Sequence, residues 1–132
     1  HTLKPNRLEA ELLSGVAITD DDSLRRAADA LLEFCGTAAV KLGKRGACLK
    51  SAKETATVSS ELVTAIDTTG AGDLWQAGFL YAWLNGYSLE TAGKMGAILG
   101  AEVVQVIGAA IPPFRWEPIR ARFQKLIYQD SK

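Results

Sequence analysis

Asp67-Thr68-Thr69-Gly70-Ala71-Gly72-Asp73 is the stretch whose reading decides the fold. Upstream, Leu62-Val63-Thr64-Ala65-Ile66 is rich in β-formers; downstream, residues 74–84 are apolar on almost every face, as in a buried helix. A glycine-rich link between a strand and a helix sets the first helical N–H groups, which lack intrahelical partners, beside the loop. The macrodipole adds about half a positive charge at that end, so the loop suits a phosphate. Gly70 and Gly72 permit close backbone approach. The motif therefore predicts a strand, an anion-binding loop and a helix in succession, which is α/β organisation.

Asp73, placed by this reading at the head of the helix, has two interpretations. Asp is a favoured N-cap residue, so it can serve the helix alone. Alternatively it faces a substrate hydroxyl while the glycine N–H groups hold a transferring phosphoryl group, the division of labour that phosphoryl transfer needs.

The rest of the chain alternates in the same style. Thr2-Leu3-Lys4 ends a strand, residues 6–14 form a short helix closed by Gly15, and Ser23 caps a second helix with Leu24, Ala27, Ala28, Leu31 and Leu32 on one face. Residues 38–42 read as a buried strand, Gly43-Lys44-Arg45-Gly46 as a turn, and 47–50 as the return, with further strands at 56–58 and 62–66. Helices follow at 74–85 and from Ser88 to about Val106, then a last amphipathic helix carrying Ile119, Phe123, Leu126 and Ile127.

At 132 residues and 48% hydrophobic the chain can bury a core as one domain. Fifteen basic and fifteen acidic residues cancel, leaving no electrostatic footprint for nucleic acid or an anionic membrane. The apolar run 96–111 is broken by Glu102 and Gln105 and stops before Pro112-Pro113, too interrupted to span a bilayer. Cys35 and Cys48 read as reduced thiols, which implies the cytoplasm.

The seven-residue string and its apolar helix resemble the second signature of the ribokinase-like (PfkB) carbohydrate and nucleoside kinases, Asp-Thr-x-Gly-Ala-Gly-Asp. Asn6-Arg7-Leu8-Glu9 is similar to that family's Asn-x-x-Glu element, and Gly43-Lys44-Arg45-Gly46 to its nucleotide strand-turn. The resemblance covers about residues 3–112 and implies the C-terminal part of a three-layer α/β/α ribokinase-like fold, with residues 1–132 as the nucleotide-binding and catalytic part of a single kinase domain. The sugar-binding Gly-Gly motif, and the β-sheet lid through which many members dimerise, have no counterpart in the sequence, so the chain reads as a fragment that is inactive alone. The activity implied is transfer of the ATP γ-phosphoryl group to a primary hydroxyl of a sugar or nucleoside. By resemblance Gly70, Ala71 and Gly72 form the anion hole and Asp73 is the base. Gly43, Gly46, Lys41 and Gly108 join Gly70 and Gly72 at the nucleotide; Asn6 and Glu9 organise Mg²⁺ through water; Asp67 and Thr69 belong to a monovalent-cation site for K⁺. Lys41 departs from the family's usual Thr. The segment 102–109 resembles the adenosine-kinase-like branch.

Plainer readings stand beside these. Asn6 and Glu9 form a capping-box pattern. Gly43 and Gly46 suit an ordinary hairpin. Trp75 and Trp83 are core volume on an apolar helix. A non-catalytic nucleotide-binding remnant is one alternative function. A dinucleotide-binding oxidoreductase is another, disfavoured because the third glycine and the acidic ribose partner of its fingerprint are missing.

Overall fold

A computed structural model describes residues 1–130. The chain forms two compact units, one spanning His1–Ser60 and the other starting at Glu61.

In the first unit β1 (Thr2–Leu3), α1 (Arg7–Ser14), α2 (Asp21–Leu31), β2 (Thr37–Lys41), β3 (Ala47–Ser51) and β4 (Thr55–Val58) follow in order. The sheet runs β1-β2-β3-β4, with β1 parallel to β2 and the other pairs antiparallel. Alternation along β2 points Ala38 and Val40 to one face, where they join Cys48 of β3 beneath Leu24, Ala27, Ala28 and Leu31 of α2. Ala39 and its cross-strand partner Leu49 point the other way and are equally buried, so the small residues of this strand serve a sheet with no wet face along its centre. Both cysteines are free and buried in this core; burial raises the Cys48 thiol above its ordinary value.

Helix α2 is capped by Asp20 rather than Ser23. The Asp20 carboxylate accepts the Ser23 N–H at 2.8 Å, and the Ser23 hydroxyl accepts the Asp20 N–H at 3.0 Å, a capping box in which Ser replaces the usual Glu. Hydrogen bonding from the Ser23 N–H, and then from the Ser23 side chain, holds the Asp20 carboxyl below its ordinary pKa. Helix α1 ends on left-handed Gly15, as expected.

The second unit is helical: α3 (Ala71–Leu84), α4 (Leu89–Val103) and α5 (Trp116–Gln129). The strand expected at 62–66 is not formed. Leu62 is 98% and Ile66 64% exposed, and no ladder partner lies alongside among the described residues; instead the Ile66 and Asp67 N–H groups both donate to the Val104 carbonyl, at 2.7 and 3.1 Å. Strand preference needs a neighbouring edge, and this segment is held by a helix end. Helix α4 stops at Val103, three residues early, because the Gln105 and Val106 N–H groups bond three residues back and tighten the last turn.

Helix α3 is apolar all round, yet it buries only Gly78, Phe79 and Ala82 while Tyr81 and Leu84 face outward. Its contact with α4 is made backbone to backbone. A Cβ on Gly78 would lie 2.5 Å from the Met95 carbonyl oxygen, and one on Gly96 would lie 2.8 Å from that of Trp75. Trp75 and Trp83 stack on either side of buried Phe79, so they pack as expected, half-buried. Ile119, Phe123 and Leu126 of α5 close a core over Ile98, Leu99 and Val103 of α4. Asp130, just past α5, accepts from the hydroxyls of Ser88 and Thr91 at 2.6 and 3.0 Å, so the end of one helix secures the start of another.

The close approach of α3 and α4 yields a test. Alanine in a helix interior is ordinarily about 1 kcal/mol better than glycine, but Gly78→Ala should instead lower the unfolding free energy by about 1–3 kcal/mol, the usual cost of overpacking. Denaturant titration measures it, and a variant as stable as the parent would mean that the helices do not meet through their backbones.

Candidate active site

The second unit holds the residues of the glycine-rich loop. Helix α3 begins at Ala71, with Gly70 as its N-cap in the left-handed conformation at φ 79°. Ala71, Gly72 and Asp73 are therefore the first three helical residues, and Asp73 is not the cap. A side-chain cap needs an extended residue just outside the helix, whereas Asp73 already lies two residues inside it. Gly70 offers no side chain, so the helix end is uncapped. The Ala71 N–H donates to the Thr68 carbonyl at 3.2 Å, while those of Gly72 and Asp73 have no protein acceptor among the described residues. Both residues are exposed, and the Asp73 carboxylate makes no hydrogen bond or ion pair among the described residues. Two unsatisfied N–H groups, a helix dipole and an unengaged carboxylate thus share one solvent-facing turn.

Asp67 holds the loop in place. Its Oδ1 accepts the Thr69 N–H at 2.9 Å and the Thr69 hydroxyl at 2.6 Å, and its Oδ2 accepts the Gly108 N–H at 2.9 Å. The Thr69 hydroxyl, then the Gly108 and Thr69 N–H groups, lower the Asp67 carboxyl to about 2. A second contact supports this one: a Cβ on Gly70 would fall 2.8 Å from the Cβ of Ala109, so the loop lies directly against residues 108–109. Farther along, Arg115 pairs with Glu102 at 2.9 Å and the Trp116 indole N–H donates to the Ile111 carbonyl at 3.3 Å, bracing the segment after α4. The family resemblance already set Gly108 near this loop, but the direct contacts, the Gly108 N–H on Asp67 and Ala109 against Gly70, join residues about 40 positions apart and have no periodic signal in the sequence. By donor chemistry Asp67 and Thr69 still fit a monovalent cation: Oδ2 takes a single hydrogen bond, and the Thr69 oxygen keeps its lone pairs.

The first unit holds the other candidates. Asn6 caps α1; its Oδ1 accepts the Glu9 N–H at 2.8 Å, and Glu9 Oε1 accepts the Asn6 N–H at 2.9 Å. The capping box is thus present. It leaves the second Glu9 oxygen, exposed and hard in character, and such a donor suits Mg²⁺, which keeps several of its waters. Asn6 forms a bridge with Lys41 of β2 and, with Arg7, Gly43 and Arg45, lines one open cleft. The two turn glycines differ in kind. Gly46, at φ 93°, faces the Val58 carbonyl so closely that a Cβ would lie 2.0 Å from it, which makes the residue a packing requirement of the hairpin. Gly43, at φ 59°, has open space above it.

A family model described as pfkB family carbohydrate kinase matches residues 1–116. The chain belongs to the PfkB family of carbohydrate kinases. It is 37% identical over 106 residues to an uncharacterized sugar kinase of Archaeoglobus fulgidus, covering 80% of this chain and 40% of that protein. It is 33% identical over 108 residues to a ribokinase of Haemophilus influenzae, covering 81% of this chain and 35% of that one. The crystal structure of adenosine kinase from Sinorhizobium meliloti superposes with a TM-score of 0.76 at 33% identity, over 91% of this chain and 36% of that one. The fold is therefore the α/β fold of the ribokinase-like kinases, and the chain spans well under half the length of the relatives it matches. The coil at 62–66 also argues against a dinucleotide-binding loop, which follows directly on a strand.

The Asp67 clamp has a defined pH signature. Its folded value of about 2 lies below the ordinary 3.8, so its contribution to stability is complete above pH 3.8 and is lost as the pH falls toward 2. The stability difference between the parent and Asp67→Asn should hold from neutral pH down to about 4 and shrink below it. Unfolding curves across that range check this; a difference that grows on acidification would contradict the assignment.

Proposed function

We propose that the protein transfers the γ-phosphoryl group of ATP to a primary hydroxyl of a sugar or nucleoside. One observation carries the reading: the first turn of α3 presents the unsatisfied N–H groups of Gly72 and Asp73 beside an exposed carboxylate, in a member of a carbohydrate kinase family. In the proposed step the acceptor oxygen attacks the γ-phosphorus, the bond to the β,γ-bridging oxygen breaks, ADP leaves, and the hydroxyl proton passes to Asp73. The N–H groups of Gly70, Ala71, Gly72 and Asp73 belong to the segment that offsets charge on the phosphoryl oxygens. Positioning then contributes more than basicity, because little covalent work falls to the protein.

Asn6 and Glu9 would hold Mg²⁺ through its waters, and the ion, when bound, supplies charge neutralisation at the phosphates. Gly43 and Lys41 are assigned to the nucleotide, with Gly46 contributing through its backbone and Gly108 through the segment it starts. Asp67 and Thr69 are assigned to a monovalent cation, K⁺. The two buried free thiols support a reducing compartment, the cytoplasm. Relatives that include a ribokinase and an adenosine kinase support sugar and nucleoside acceptors equally. ADP release by the full-length protein, screened against adenosine, ribose and fructose, tests the activity. Release that is independent of every alcohol would overturn it.

Two substitutions test the assignment of roles. Asp73→Asn should lower kcat by about 10² or more, the range for loss of an acid–base group, while ATP binding persists; near-normal turnover would remove Asp73 as the base. Gly72 is exposed and has no left-handed torsion, so alanine is sterically acceptable to the helix. Gly72→Ala should therefore keep or raise the melting temperature, yet its Cβ would obstruct a phosphate that must approach the backbone there, so catalysis should weaken by about 2–4 kcal/mol, a loss on the scale of an oxyanion-hole donor's contribution. A variant that turns over normally and keeps its ATP-induced thermal shift would take the loop out of the chemistry.

A further inference from the structure

The corner between α3 and α4 carries chemistry that phosphoryl transfer does not use. The sequence holds two asparagines, Asn6 and Asn85, and of these Asn85 alone is followed by glycine. Asn85 ends α3, and Gly86 follows it in the left-handed conformation at φ 84°. The Gly86 N–H donates to the Trp83 carbonyl and the Tyr87 N–H to that of Ala82, each at 3.1 Å, which is a Schellman closure of the helix. The Asn85 carboxamide Nδ2 donates to the Tyr81 carbonyl at 2.6 Å. Both Asn85 and Gly86 are exposed, and open space surrounds the place of a Gly86 Cβ.

We propose that Asn85 and Gly86 form a self-modification site, at which the asparagine carboxamide closes onto the following backbone nitrogen once the last turn of α3 opens. The Gly86 nitrogen gives its proton to hydroxide and attacks Asn85 Cγ. The new N–C bond forms, the Cγ–Nδ2 bond breaks, and the leaving nitrogen takes a proton from water to depart as ammonia. Water then hydrolyses the five-membered imide at either carbonyl, giving aspartate or β-linked isoaspartate at position 85. Glycine matters because a side chain on residue 86 would crowd the attacking nitrogen. In the folded chain both nitrogens of the reaction are engaged, one on Trp83 and the other on Tyr81, so ring closure waits on opening of this turn. An exposed helix end opens locally, without global unfolding. Asn6 is the contrast, since it precedes Arg7 and its carboxamide oxygen accepts the Glu9 N–H.

The product alters the corner in two ways. A carboxylate replaces the donor to the Tyr81 carbonyl and sets negative charge at the negative end of the α3 dipole. Isoaspartate also inserts a methylene into the main chain, so the Gly86 and Tyr87 bonds cannot both keep their register. Ser88, the cap of α4, follows within the same corner, so the start of α4 loosens with the end of α3.

The test follows the full-length protein through incubation at mildly alkaline pH, by peptide mass spectrometry that separates aspartate from isoaspartate. Modification should accumulate at Asn85 and not at Asn6, and Asn85→Gln, whose ring would be larger, should abolish it. In urea the rate at Asn85 should rise about 10- to 1000-fold, and that ratio should match the amide-exchange protection of the Gly86 N–H within about threefold. In the modified protein the Tyr87 N–H should exchange about tenfold faster or more, while the Leu74 N–H at the far end of α3 keeps its rate. An Asn85 that stays intact in the native protein, while it reacts in urea and the Gly86 N–H exchanges freely, would overturn the proposal. A native rate equal to the rate in urea would overturn it too, because the turn would then gate nothing. None of these readouts depends on phosphoryl transfer, so the outcome is separate from that of the kinase assay.

Discussion

The left-handed turn at Gly70 is the constraint on which the second unit's chemistry depends. At φ 79°, with the place of its Cβ 2.8 Å from that of Ala109, this position admits glycine only. The turn starts α3 at Ala71, and every later assignment follows from that register. Gly72 and Asp73 fall inside the first turn, where N–H groups lack partners, rather than ahead of it, where an Asp would cap the helix. A reading that began the helix three residues later would give Asp73 a local structural task; the observed start leaves its carboxylate unengaged.

Glycine does three different jobs in this chain, and the differences are physical. Gly78 and Gly96 remove side chains so that α3 and α4 meet through their backbones. Gly46 lets the hairpin turn press on the Val58 carbonyl, and the Ser60 hydroxyl bonds to the Lys44 carbonyl of the same turn. Gly43 and Gly108 adopt left-handed torsions in open space, so their backbone conformation rather than packing calls for glycine. Two glycines of one sequence motif, Gly43 and Gly46, therefore carry separate meanings. Substituting either would disturb the turn for a different reason.

Polar groups are used economically around these turns. Asp20, Asp67 and Asp130 each gather several donors at a helix terminus or loop, in place of hydrogen bonds that the backbone cannot make there. The paired charges of Arg122 and Glu61, bidentate at 2.8 and 2.6 Å, attach the start of the second unit's coil to α5 and raise the Arg122 value, chiefly through that hydrogen bonding. What keeps residues 61–67 in place is thus a set of side-chain and carbonyl contacts rather than a ladder.

The sequence by itself determined the α/β class, the hairpin around Gly43 to Gly46, the apolar faces of α2 and α5, and the motif that places the chain among the carbohydrate kinases. Those features are local, since period, turn residues and glycine spacing act within a few positions of one another. Three things were decided only by tertiary structure. The β-rich run 62–66 stayed coil because no edge lies beside it among the described residues, and strand preference has no effect without a partner. Helix α3 began at Ala71 because Gly70 packed against Ala109 and no side chain capped it. Asp67 found Gly108 across 41 residues through a single N–H donor, a contact that leaves no periodic or compositional trace. Local patterns report what a segment can become, and long-range packing selects among those outcomes by satisfying backbone groups that the segment cannot satisfy alone.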